Sequence, residues 1–423
     1  MDGGDRPPLG FGPEALIEES RLENRLGRLA LSAVLAALVV AGLAVPASAA
    51  HATLTLEASA AHIHFGESVR LSGTLAPAPE GGPVVDGQTI RILDADGTEV
   101  ATATTGAAGG YSVRVSPRAN VVLHAEWTDE SLPETVQSEA VSISVRPLLS
   151  AAIRRVYLFA KAKVSGRLRP AHPGEQIVVD LFRGSTRVAR RTVSLVDGAW
   201  YRATFPIRRP GRYSARARFS DADHLPKQVR TERRRTPMPY LDPGSRHTAV
   251  RYLEGRLREL HYRMPGIDRK FDARTGDAIL AFNKVQGRTR VRYVNESTWR
   301  ALVNPRRPSA RSRTSGFHIE VDKTRQVLYT VRDGRITNIL HVSTGLIDGW
   351  TREGVFRVHG KVYGYSVGRL YYPSYFDGLR AVHGWPEVPA YPASHGCVRV
   401  PMWSAVWISG RMPIGTEVRI YRT

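Results

Sequence analysis

The 423-residue sequence predicts a multidomain, mostly-β chain interrupted once by a small helical unit. Three observations predict it. Short alternating apolar runs broken by Gly, Pro and Asp-Gly turns fill residues 51–235. Helical spacing takes over at 244–304, where Val250, Leu253, Leu257 and Leu260 recur every three or four residues. Alternation then returns and continues to the C-terminus. At this length several domains are expected, each large enough for its own core.

Residues 1–50 read as a cytoplasmic leader followed by a signal peptide or membrane anchor. Arg21, Arg25 and Arg28 precede an unbroken apolar run, Leu29 to Val45, and then Pro46-Ala-Ser-Ala-Ala50. A basic flank, an apolar stretch and a small-residue site describe a secretory signal. The run is also near the lower limit for spanning a bilayer, so an anchor with its basic side in the cytoplasm is the alternative. Either way the rest of the chain is expected outside the membrane, in the cell envelope.

Residues 51–147 and 148–235 repeat each other. Leu71-Ser-Gly-Thr-Leu75 matches Val164-Ser-Gly-Arg-Leu168, and Gly110-Tyr111 matches Trp200-Tyr201, at offsets of 93 and 90. Each unit has the size of a β-sandwich and resembles the immunoglobulin-like modules of bacterial surface proteins. Neither carries site chemistry, so both are expected to be spacers, with carbohydrate or protein binding as the rival.

Residues 236–243 are a Pro-containing linker. In 244–304, Asp272 opens a second helix with Ile279, Phe282 and Val285 facing inward, and Thr298-Trp299 lies in a third. This unit resembles the three-helix peptidoglycan-binding domain. The Leu-rich first helix, Phe271-Asp272 before Thr275, Ala278 with Phe282, and Thr298-Trp299 with Leu302 carry the likeness. Asn283-Lys284-Val285 departs from the Gln-containing segment usual there. Binding to peptidoglycan glycan is the implied role, and a helical spacer is the alternative.

A second linker, 305–314, leads into 315–423. Gln326 to Val331, Asp333-Gly334 and Ile336 to Val342 read as a hairpin with a two-residue turn. Leu346 to Gly354 reads as flexible. The Tyr- and Gly-rich stretch Gly360 to Gly378 varies within the family named below, and is expected to build a lid over the cleft.

The chemistry concentrates near the C-terminus. Cys397 is the only cysteine, which excludes an intrachain disulfide. His383 precedes it by 14 positions. An imidazole can take a thiol proton and leave the nucleophilic thiolate, provided a third group orients its other nitrogen. Gly384 lets its carbonyl lie close enough to do so. Gly396 lets the chain turn, so that the amides near Cys397 can point at an oxyanion. His395 steadies the loop or tunes the pair. Arg399 suits a substrate carboxylate. A zinc site from His383, His395 and Cys397 lacks a fourth ligand at a usual spacing. No metal or organic cofactor is expected.

His383-Gly384, followed by Ser394-His-Gly-Cys-Val-Arg399, resembles the active-site signature of the L,D-transpeptidase family, whose catalytic domain is of the YkuD type. Gln326-Val-Leu-Tyr329, Val342-Ser-Thr-Gly345 and Gly354-Val-Phe356 agree with that domain's opening. Thr351-Arg-Glu-Gly354 stands where the family has Thr-Pro-x-Gly, a change expected to touch no catalytic group. The resemblance implies a β-rich, sandwich-like catalytic domain that cross-links peptidoglycan through a thioester. Cys397 would attack the carbonyl after the third residue of a tetrapeptide stem and release D-alanine. A neighbouring stem's amine would then complete a 3→3 link. The resemblance carries over His383 as base and acid, Gly384 as its orienter, Gly396 and Cys397 as oxyanion donors, and His395 and Arg399 as site residues. Ser394, Tyr371 and Tyr372 are assigned to substrate contact, although the Tyr cluster as a whole reads as packing. An L,D-carboxypeptidase, a protein-to-wall anchoring enzyme and a non-catalytic wall-binding scaffold are the alternatives.

The net charge is +21, with Arg spread over all segments. The densest run, Arg230 to Arg235, contains no aromatic residue, so a nucleic-acid partner is not expected. Diffuse attraction to an anionic envelope fits better. Compositional Arg bias on a solvated surface is the plain alternative. Membrane contact is expected only through residues 29–45, and the oligomeric state is left open.

Overall fold

The computed structural model describes residues 52–77, 85–128, 135–171 and 174–423. The expected leader and anchor at 1–50 lie outside the described residues. No helix among the described residues is long and apolar enough to cross a membrane.

The chain is multidomain and mostly β. Each repeat folds as two packed sheets around its own core, one centred on Leu71, Ile90 and Leu123 and the other on Val164, Val179 and Phe205. The repeat is one of contacts as well as letters. Tyr111 Oη donates to Thr55 O at 2.5 Å, and Tyr201 Oη donates to Ser150 O at 2.6 Å. Both hydroxyls cross the sheet over a glycine. A Cβ on Gly73 would lie 1.9 Å from Thr55 O, and one on Gly166 would lie 1.9 Å from Ser150 O. No side chain fits there, which is why Ser-Gly recurs.

Three helices follow: α1 (Thr248–Glu259), α2 (Ala273–Val285) and α3 (Glu296–Ala301). Each starts at a residue whose side chain accepts a first-turn amide, namely His247, Asp272 and Asn295. α2 departs from expectation. Ile279, Phe282 and Val285 do face the helical core, but every residue from Thr275 to Val285 is buried. Its other face packs on the C-terminal unit, and one apolar cluster joins Leu253 and Phe282 to Val327, Tyr329 and Ile339. Leu158 of the second β unit enters the same cluster. The two expected linkers are packed as well. Leu241 pairs with Val294, and the Arg311 and Ser312 amides both donate to the Glu320 carboxylate.

The C-terminal unit contains strands β1 (Phe317–Asp322), β2 (Val327–Arg332), β3 (Arg335–His341), β4 (Gly354–Arg357), β5 (Gly360–Lys361), β6 (Tyr371–Asp377), β7 (Arg380–Trp385), β8 (Val398–Pro401) and β9 (Glu417–Tyr421), with α4 (Met402–Gly410) before the last. They form a five-stranded sheet, β3-β2-β1-β9-β4, and a four-stranded sheet, β5-β6-β7-β8. The β2–β3 turn is the expected one. Asp333 and Gly334 have φ of 50° and 70°, the positive pair that a two-residue hairpin turn requires. Ile319, Leu328, Val382, Val398 and Ile420 form the core between the sheets.

Candidate active site

The site sits where β7 and β8 run parallel, with Val382 opposite Val398 and His383 opposite Arg399. Side chains alternate along a strand. Ala381, His383 and Trp385 therefore share a face with Arg399 and with Cys397, which lies one step before β8. The opposite face packs on α4. A Cβ on Gly384 would lie 2.6 Å from Ala405 Cβ and 3.0 Å from Tyr371 Cδ1. Gly384 is thus required by the helix behind the sheet, as well as leaving its carbonyl accessible.

That carbonyl accepts a hydrogen bond from His383 Nδ1 at 2.9 Å. The proton is therefore on Nδ1, and Nε2 presents a lone pair. Burial is the main cause that lowers the His383 pKa to about 4, and the Arg399 charge adds to it against the Gly384 bond. Burial also raises the Cys397 thiol, opposed by an Ala381 backbone bond and by Arg399 and Arg380. The resting pair is accordingly a neutral imidazole and a protonated thiol. Cys397 Sγ lies 3.9 Å from Leu379 O.

The loop before Cys397 is fastened from two sides. Ser394 Oγ accepts the Gly396 amide at 3.1 Å and donates to Cys397 O at 2.6 Å. Thr351 Oγ1 accepts the Gly345 amide and donates to Gly396 O, both at 2.8 Å. Gly396 has φ of 124°, and a Cβ there would lie 2.6 Å from Trp350 O; only glycine suits both conditions. The Trp350 ring stacks on His395 at 5.2 Å, and Trp350 O accepts from Arg380 Nε at 2.5 Å.

Four expectations change in detail. Ser394, assigned to substrate contact, is buried, and both of its hydroxyl bonds fasten the loop. The Gly396 amide, expected to be open to an oxyanion, is taken by Ser394 Oγ. Tyr371 pairs with Gly384 and packs on the α4 side with the core, away from the His383 face; alternation decides this. Leu346 to Gly354 is not uniformly loose, because Thr351 is 1% exposed and bonded twice. His395 is exposed and stacked, with no hydrogen bond to His383 or Cys397 among the described residues. Tyr372 is half-buried with φ of 48°, its ring edge-on to Tyr363 and Tyr371. Arg352, the departure from Thr-Pro-x-Gly, bonds Asp377, which also bonds Arg380. The substitution is therefore wired to the Trp350 buttress.

Arg399 lies 4.9 Å over the Trp385 ring and lines a cleft of about 780 Å3 with Trp385 and Tyr391. Asp277 and Arg292 of the helical unit form another wall of that cleft. The helical unit also grips the segment between β7 and Cys397. Arg292 Nη2 donates to Val388 O at 2.8 Å and Arg290 Nη1 to Ala390 O at 2.9 Å. Lys284 enters the C-terminal unit from α2 and donates to Gln326 O and Val342 O at 3.0 Å and to His341 Nδ1 at 2.6 Å. His341 Nε2 in turn donates to Val388 O at 2.9 Å. Burial lowers the pKa of both Lys284 and His341 well below its ordinary value.

A family model for the YkuD L,D-transpeptidase catalytic domain matches residues 316–420. An L,D-transpeptidase crystal structure from Xylanimonas cellulosilytica is 37% identical, with 44% of this chain and 99% of that one covered, at a TM-score of 0.41. The chain belongs to the L,D-transpeptidase family. The NMR structure of the catalytic domain of the Enterococcus faecium L,D-transpeptidase matches at 21% identity, covering 26% of this chain and all of that one, at a TM-score of 0.23. No curated protein matches the chain. An L,D-transpeptidase domain at the C-terminus makes this a transpeptidase-type enzyme whose family acts on peptidoglycan.

Proposed function

We infer that the chain is a peptidoglycan L,D-transpeptidase of the cell envelope with Cys397 as its nucleophile. The observation that carries this is the state of His383, whose Nδ1 donates to Gly384 O, while strand alternation puts its side chain on the face that bears Cys397. On attack, the Cys397 thiol gives its proton to His383 Nε2 and its sulfur bonds the carbonyl after the third stem residue. The Cys397 amide supports the oxyanion. The carbon–nitrogen bond to D-alanine then breaks, and His383 returns the proton to the leaving amine. A second stem's amine attacks the thioester, passes a proton to His383 and forms the 3→3 link, and the departing sulfur takes that proton back. Arg399 and Trp385, open to the cleft, are suited to a stem carboxylate and its aliphatic part.

The domain boundaries expected from the sequence serve here as a proposal about roles. Residues 315–423 carry the chemistry, and residues 244–304 fix the loop that leads into Cys397. Wall binding by the helical unit would then fall to exposed surface near Arg246 and Lys270, which line a separate cavity. Incubating the full chain with defined tetrapeptide muropeptides and reading the products by mass spectrometry tests the reaction. A 3→3 dimer with loss of D-alanine is expected. Tripeptide alone would mean that water is the acceptor, and no turnover with a stable Cys397 would defeat the reading.

A further inference from the structure

The two β repeats share a scaffold and differ in charge. Residues 51–147 contain five basic and 12 acidic residues, a net −7, whereas 148–235 contain 21 basic and six acidic, a net +15. The basic charge is therefore not evenly spread, contrary to the sequence reading. Five of those 21 basic residues lie on one exposed sheet face. In the second repeat, strand Lys161–Arg169 pairs with Trp200–Pro206, with Ser165 opposite Arg202 and Arg167 opposite Trp200. The outward positions are Lys161, Lys163, Arg167, Arg169 and Arg202, together with Trp200, which is 52% exposed. In the first repeat the corresponding pairs are Ser72 with Ser112 and Thr74 with Gly110. At the offsets of 93 and 90, Ser68, Thr74, Ala76 and Ser112 stand where the second repeat has Lys161, Arg167, Arg169 and Arg202. Shared folding requirements therefore do not explain the cations.

Nor does internal pairing. The repeat's ion pairs fall elsewhere among the described residues: Arg190 and Arg218 on Asp180, Arg208 on Glu259, Arg234 on Glu232, and His224 on Asp221. The Arg167 guanidinium lies 5.6 Å over the Trp200 ring, and its Nε is shielded from solvent without an acceptor. Alternate residues along one strand are about 6.6 Å apart, so the cations form rows that suit a linear polymer better than a point anion.

We propose that this face of the second repeat binds a linear phosphate-bearing polymer of the wall, with Arg167 and Trp200 at its centre. The choice of polymer rests on the proposed action at the wall, and the binding itself does not depend on catalysis. The test is equilibrium binding of the full chain, without stem peptide, to poly(glycerol phosphate) across a salt series. The fourfold variant Lys161→Ser, Arg167→Thr, Arg169→Ala, Arg202→Ser takes the first repeat's residues, so the fold tolerates them. Affinity at low salt should fall at least tenfold, and the slope of log affinity against log salt should drop by about 3. Trp200→Ala should weaken binding with the slope unchanged. Parent-like binding by the fourfold variant, or no binding by the parent, would overturn the proposal. So would equal affinity for single-stranded DNA or for phosphatidylglycerol vesicles with the same sensitivity to these substitutions. Loss of transpeptidation alone would leave this binding intact, which separates the two readings.

Discussion

His383 and His341 are the same kind of residue in nearly the same situation. Both are 2% exposed, both give one ring nitrogen to a backbone carbonyl, and burial lowers the pKa of each. They differ at the other nitrogen. His341 Nδ1 accepts from Lys284, and that histidine is finished as a structural part. No such bond holds His383 Nε2 among the described residues, which leaves it for the proposed proton exchange with Cys397. Burial and depressed basicity thus do not distinguish a working imidazole from a structural one. The partner of the second nitrogen does.

Removing the nucleophile gives the largest separation of the two sites. Cys397→Ala should abolish product formation and leave the thermal midpoint nearly unchanged, as read by muropeptide mass spectrometry and calorimetry. Next, His383→Gln should lower turnover by roughly 100- to 10,000-fold, the range for a lost general base. It should also slow alkylation of Cys397 by iodoacetamide at pH 7; an unchanged alkylation rate would remove His383 as the base.

Lys284→Met should do the reverse. It leaves Val342 O and His341 Nδ1 without their buried donor and Gln326 O with the Val342 amide alone, at a cost of about 2–4 kcal/mol. Denaturant midpoints should fall clearly while residual activity per folded molecule falls less. A large activity loss with an unchanged midpoint would move Lys284 to the chemical side of the comparison.

Acid should reach the structural effect without mutation. In the unfolded chain His383 takes its proton near pH 6.5, and in the folded chain only near 4. Stability is therefore full above about 6.5 and declines as pH falls toward 4. Between pH 7 and 5 the contribution is about 2 kcal/mol, and His383→Gln should remove that part of the slope. A parallel pH dependence in parent and variant would refute the burial account. The smallest effect is Thr351→Val. It orphans the Gly345 amide and the Gly396 carbonyl, for about 1–2 kcal/mol and a modest fall in turnover.

What was legible in the sequence followed local rules. The Asp333-Gly334 turn, the helix start at Asp272 and the tyrosine-glycine repeat are each dictated by residues close together or by exact periodicity. The Ser394–Arg399 stretch announced itself through rare residues in a tight run. The remainder required contacts between distant segments. Lys284 was visible only as a departure from the pattern of the helical unit, because its acceptors lie 42 and more positions away. Trp350 and Thr351 looked like loop because two of the bonds that fix them come from the distant Gly396 and Arg380. The face that Tyr371 occupies depends on the register of β6 against β7, which no local pattern shows. The Arg167–Trp200 contact escaped notice because its members sit on separate strands, whereas the Arg run at 230–235, which did stand out, contains no ring.

The seams between units carry a mechanical consequence. Asn120 donates to Asp223 O at 2.8 Å and Leu225 to Val145 O at 2.9 Å, closing the joint between the repeats. Phe159 stacks on Trp299 at 6.3 Å, closing the next. A string of beads would let the catalytic end sample a wide sphere. Stiffened joints make the chain a ruler, so whatever grips one end fixes the height at which the thiol works.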